Sequence, residues 1–179
     1  MSRLCVFLLF LFISVTSYAG GNYQKLLKPY LQNPVLVGSG QYRHYFFKIY
    51  KAYLYAENQK YQEQKPFALV LAYQRDLSGS DIVEKTIDLI KEQTPFIGEG
   101  LANKWKVLLV NIFPNVDDKS SLIGIRTASG GTVFINEDGK VLGEIKSKQF
   151  TKYFFNIWLG PQTQDVNFRN QLLGKLNES

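Results

Sequence analysis

GSGQYRHYFFKIYKAYLYAE, Gly38 to Glu57, is the stretch on which the fold turns. It carries Tyr42, Tyr45, Phe46, Phe47, Tyr50, Tyr53 and Tyr55, with Ile49 and Leu54 among them. Aromatic and β-branched side chains suit a pleated, half-buried surface, so the run reads as a strand. Split by parity, one face holds Tyr42, His44, Phe46, Lys48, Tyr50, Ala52 and Leu54. The other holds Arg43, Tyr45, Phe47, Ile49, Lys51, Tyr53 and Tyr55. Both faces are mainly apolar, so both are expected to be covered. Drawn out as one strand, the run would reach about 45 Å, which is long, and a bend or bulge is expected near Lys48. A long strand lined with phenols and roofed by helices can wall a ligand cavity. The plainer alternative is a sheet core whose Tyr hydroxyls reach the rim.

Working outward, Val35 to Val37 reads as a short strand, with Gly38-Ser39-Gly40 as a turn after it. Downstream, Phe67 to Arg75 alternates Phe67, Leu69, Leu71, Tyr73 and Arg75 against Ala68, Val70, Ala72 and Gln74. It is apolar on both faces and so central in a sheet. Ser80 to Gln93 has the stripe Val83, Ile87, Ile90 of a helix, with Asp81 and Glu84 resembling a capping box. Leu101 to Phe113 places Leu101, Trp105, Leu108 and Ile112 at helical spacing, with Pro114 as a stop. Strands follow at Leu122–Thr127, Thr132–Asn136 and Val141–Ile145, the last pair joined through Asp138-Gly139. Phe150–Leu159 and Asp165–Leu173 close the chain as helices. Strands, two helices, a meander and helices again fit an α+β fold with one antiparallel sheet.

The first residues bear on compartment. Arg3, the apolar run Leu4 to Val15 and the small-x-small triplet Ser17-Tyr18-Ala19 form a secretory signal, with cleavage expected after Ala19. Residues 20–179 then form one domain, expected to be secreted. No other stretch approaches the length of a membrane span. Cys5 lies inside the signal, so the domain has no cysteine and depends on packing, for which 45% hydrophobic and 15% aromatic content suffice. The net charge of +6 falls to +5 once Arg3 leaves. The lysines are dispersed, which fits a solvated surface rather than a nucleic-acid site.

The domain's one histidine, His44, and its lack of cysteine leave no zinc or transition-metal site of the usual kind in one subunit. No G-x-S-x-G elbow serves a triad, and Gly38-x-Gly40 is followed by Arg43 where a dinucleotide fingerprint needs a third glycine. No cofactor is expected. What remains is a polar set among apolar walls: Arg43, Tyr50, Tyr73, Arg75 and Lys85. An Arg there can hold a carboxylate by a bidentate contact. The alternative for Arg75 is a structural ion pair with Asp76 or Asp81.

The motifs G-S-G, F-F-K-I-Y-K-A-Y-L-Y, A-Y-Q-R-D-L-S-G, F-P-N-V and F-F-N-I-W-L-G-P-Q-T with L-L-G, in that order from about Leu36 to Leu173, resemble the bacterial exported chalcone isomerase-like family. The resemblance implies an open-faced β-sandwich, a long antiparallel sheet with helices packed over one face and a cleft between. The family's plant relatives include true isomerases and non-catalytic fatty-acid-binding proteins. By these motifs, the isomerases' first-turn arginine falls on Tyr42, with Arg43 one residue late, and their strand threonine on Tyr50. Their tyrosine falls on Ile82, their asparagine on Leu89 and their small hydroxyl residue near Ile157; their lysine is matched by Lys85. Ring closure of a chalcone needs donors that polarise a ketone, and Ile82, Leu89 and Ile157 cannot donate. The expectation is therefore a periplasmic, non-catalytic binding protein for a small hydrophobic or carboxylate ligand, fatty-acid-like. The site expected is Arg43, Tyr50, Tyr73, Arg75 and Lys85. The alternatives are an isomerase or lyase using Lys85 with Tyr50 or Tyr73, and an envelope interaction protein without a ligand.

Overall fold

In a computed structural model that describes residues 21–175, the aromatic run folds as a hairpin rather than as one strand. The expected signal, residues 1–19, lies outside the described residues. Strand β1 (Pro34–His44) pairs antiparallel with β2 (Phe47–Glu57), and the chain reverses at Tyr45-Phe46. Those two residues lack the Gly, Asn or Asp that marks a two-residue turn. Tyr45 instead takes a φ of 53°, a region that bulky L residues seldom enter. The ladder from His44–Phe47 to Pro34–Glu57 offsets that strain. The irregularity expected near Lys48 is present: the register shifts between Tyr42–Tyr50 and Arg43–Lys48, leaving Ile49 as the extra residue.

Gly38 and Gly40 are not a turn. They lie inside β1, where helix α5 (Val166–Leu172) packs directly on the strand. A Cβ on Gly38 would stand 2.2 Å from the Gln171 carbonyl oxygen, and one on Gly40 2.7 Å from the Phe168 ring. Both glycines therefore serve the close approach of a helix.

The sheet continues through β3 (Phe67–Tyr73), β4 (Ser121–Arg126), β5 (Thr132–Asn136) and β6 (Val141–Ile145), in the order β1-β2-β3-β4-β5-β6 with every neighbour antiparallel. Between the adjacent strands β3 and β4 the chain leaves the sheet to form α2 (Gly79–Gln93) and α3 (Glu99–Val110). A two-way backbone bridge between Leu77 and Val116 closes that excursion. The cap of α2 is Ser78, whose Oγ accepts from Asp81 N at 3.0 Å; the expected Asp81–Glu84 box is displaced one turn. Such a cap contributes about 1 kcal/mol. In α3, Ala102, Trp105 and Leu109 point inward, while Leu108, expected on the buried stripe, is partly exposed.

Parity along β2 and β3 divides two cores. Ala52, Leu54, Phe67, Leu69 and Leu71 face α2, α3, α5 and α4 (Lys148–Leu159). Phe134, Phe150 and Phe154 pack edge to face and stacked at the centre of that layer. Each such aromatic contributes roughly 1.5–3 kcal/mol on burial. The opposite parity, Tyr53, Tyr55, Ala68, Val70, Ile123 and Ile125, is covered by the short N-terminal helix α1 (Gly21–Leu27) through Leu27 and by Leu31. The result is an open six-stranded antiparallel sheet with four helices on one face.

Candidate ligand-binding cavity

A cavity of about 430 Å³ lies between the β1–β3 end of the sheet and helices α2, α4 and α5. Its position follows from periodicity. On β2 and β3, the alternation that buries Leu54 and Leu69 also turns Tyr50, Leu71 and Tyr73 into the cavity. On α2, the stripe Val83, Ile87, Ile90 packs into the core, and the neighbouring row Ile82, Lys85/Thr86, Leu89, Gln93 faces the cavity. Phe154, Ile157 and Trp158 of α4 form the far wall, and Phe168 of α5 closes the side. The walls are mostly apolar, as small-ligand sites usually are.

Tyr50 is the best-defined polar group. Its hydroxyl oxygen accepts from Trp158 Nε1–H at 2.9 Å. Its own O–H is thereby left to donate. Its ring stacks on Tyr42 with centroids 4.9 Å apart and meets Tyr73 edge-on at 5.9 Å. Burial pushes the Tyr50 phenol well above its ordinary range, with the Trp158 bond opposing and Tyr42, Tyr73 and Asp165 adding to the rise. Burial does the same to the Tyr73 phenol. Tyr73 is buried, and among the described residues its hydroxyl has no hydrogen-bond partner. Both phenols therefore remain protonated at neutral pH and act as donors; neither is disposed to be a general base. Gln93 adds an acceptor: its Nε2 donates to the Ile157 carbonyl at 3.4 Å, while its Oε1 is buried without a partner among the described residues. Leaving such a group unpaired costs about 1–3 kcal/mol.

Of the expected site residues, Tyr50, Tyr73, Arg75 and Lys85 line the cavity and Arg43 does not. Arg43 is exposed beside Lys48 near the hairpin tip, on the far side of the Ile49 bulge. Arg75 lies beyond the end of β3, exposed, with its guanidinium 5.3 Å from the centre of the Phe47 ring. The ion pair with Asp76 or Asp81 is not formed; among the described residues the ion pairs are Lys91–Glu99 and Lys106–Glu84. Arg75 and Lys85 thus stand at the exposed rim, together with Asp81 and Asp165, while the phenols lie inside. Ile82, Leu89 and Ile157, the hydrocarbon positions, all line the wall. The expected site contained neither Trp158 of α4 nor Gln93, the last residue of α2. The spacing 82, 86, 89, 93 was the available signal for Gln93. The Trp158–Tyr50 bond, 108 positions apart, had none.

A six-stranded antiparallel sheet roofed by helices over a ligand-sized cavity defines an open-faced sandwich of the chalcone isomerase type. The chain belongs to the chalcone isomerase-like family, whose sequence model matches residues 16–174. It is similar to an uncharacterized protein of Haemophilus influenzae, 29% identical over 141 residues that cover 78% of this chain and 67% of that one. Among solved structures it resembles the Arabidopsis thaliana fatty-acid binding protein AtFAP1. The TM-score is 0.60 at 14% identity, covering 79% of this chain and 87% of that one. At that identity the likeness shows the shared fold.

Proposed function

We propose that the protein is an exported, periplasmic binding protein that holds a small amphipathic molecule of the fatty-acid type without turning it over. The observation that carries this reading is the apolar cavity of about 430 Å³ with free phenolic donors inside and two cations at its rim. That volume falls within the roughly 300–1,000 Å³ of small-ligand sites. Arg75 and Lys85 draw an anionic head group to the mouth, the hydrocarbon walls take the chain, and the Tyr50 and Tyr73 hydroxyls donate to a ligand oxygen. The absence of donors at Ile82, Leu89 and Ile157 argues against an isomerase, as do phenols held in the neutral form. The fatty-acid binding named for AtFAP1 supports the ligand class, and the signal read at residues 1–19 supports export.

The test is calorimetric titration of the delipidated protein with palmitate, beside a chalcone-to-flavanone absorbance assay. One saturable site is expected, with chalcone closing no faster than in buffer. Tyr73→Phe removes a hydroxyl that has no partner among the described residues, so it should weaken binding about 3–10-fold and leave the fold intact. Absence of saturable binding, or a chalcone rate above buffer, would sink the reading.

A further inference from the structure

The turn that the sequence did not announce also carries a run of exposed aromatic side chains beside the cavity. Tyr45, Phe46 and Phe47 are 83%, 94% and 62% exposed. They project because β1 and β2 run on beyond the end of β3: the β2–β3 ladder stops at Tyr50–Tyr73, with one further bond from Gln74 N to the Ile49 carbonyl. The tip is therefore a two-stranded overhang that no third strand or helix covers among the described residues. From Gln41 to Ala56 every charged side chain is a cation, namely Arg43, Lys48 and Lys51, and Arg75 lies against the Phe47 ring from the next strand end. None of the four is in an ion pair among the described residues.

We propose that this tip is a docking element for an anionic lipid bilayer, with Tyr45, Phe46 and Phe47 entering the headgroup region and Arg43, Lys48 and Arg75 facing the lipid phosphates. Aromatic side chains favour the membrane–water interface, and flanking cations are attracted to acidic lipids. The shape points the same way. A protein partner of ordinary affinity covers about 800 Å² a side, which a narrow overhang of three side chains does not offer. A second copy joined tip to tip would bring two cationic rims together. His44, Ile49 and Arg75, at the base of the tip, line the cavity, so docking places the cavity mouth against lipid. The docking stands independently of what the cavity holds.

The test is co-sedimentation of the ligand-free protein with vesicles of phosphatidylcholine containing phosphatidylglycerol, and with phosphatidylcholine alone. Binding to the anionic vesicles is expected and should weaken with added salt. Phe46→Asp should reduce it about tenfold or more. Phe46→Asp should leave the melting temperature and palmitate binding in solution unchanged, since Phe46 neither packs in the core nor lines the cavity. As a second variant, Phe46→Trp should keep binding and shift its emission to shorter wavelength on the vesicles. No wild-type binding to anionic vesicles, equal binding by Phe46→Asp, or an unshifted Phe46→Trp emission would overturn the proposal. So would a concentration-dependent dimer abolished by Phe46→Asp, which would make a second copy the occupant.

Discussion

Tyr45, Phe46 and Phe47 at one end of the hairpin and Tyr53 and Tyr55 a few residues along are chemically alike and end in opposite environments. The first three project into solvent, while Tyr53 and Tyr55 are buried under Leu27 and Leu31. Both groups belong to one hairpin, and both are near cations. They differ in their neighbours. From Tyr50 onward β2 lies between β1 and β3, and α1 covers its outer face; before Tyr50 it has β1 alone. Burial of an aromatic residue thus depends on where the third strand stops.

The strongest way to break this contrast is truncation at the covered end. Tyr55→Ala should cost about 3–5 kcal/mol in urea unfolding, as for other buried aromatics. A cost below about 1 kcal/mol would mean that the outer core is not a real core. Next, Gly38→Ala would place a methyl group 2.2 Å from the Gln171 carbonyl. It should cost about 1–3 kcal/mol and raise hydrogen exchange in α5 before the rest of the sheet. Uniform exchange would detach Gly38 from the docking of α5. A smaller effect appears only in alkali. Burial pushes Tyr55 and Tyr61 up to about 12 from the usual 10.0, so their protonated forms favour the folded state. That contribution is whole below pH ~10 and is lost as pH rises through ~12, so the urea midpoint should fall across that window. Tyr61→Phe should flatten the fall. Smallest of all, Phe46→Ala at the uncovered end should change stability by no more than about 0.5 kcal/mol, against the several expected at Tyr55.

Much of the fold was legible because periodicity is local. The split of β3 into Phe67, Leu69, Leu71, Tyr73 and Ala68, Val70, Ala72, the helical stripe of α2 and the spans of β5 and β6 all follow from residues a few positions apart. The hairpin turn was not legible, because Tyr45-Phe46 carries no turn chemistry and its strain is offset by ladder bonds formed elsewhere. The glycines were misread for a related reason: a Gly that admits a helix and a Gly that makes a turn look alike until α5 is in place. At the cavity, Tyr50, Tyr73, Arg75 and Lys85 of the expected site and the aligned hydrocarbon positions Ile82, Leu89 and Ile157 all lie along its lining, whereas Arg43 does not.

Alternation and helical spacing, which are set by bonds between near neighbours, were enough to specify an α+β chain with one antiparallel sheet, and which side of each strand is oily. Residues far apart in the chain settled the rest: which phenol keeps a free proton, since Trp158 takes the lone pair of Tyr50; where a cavity opens; and which aromatics stay wet. Those depend on the register and length of neighbouring strands and on the packing of α5 against β1, interactions that exist only once the whole chain has closed.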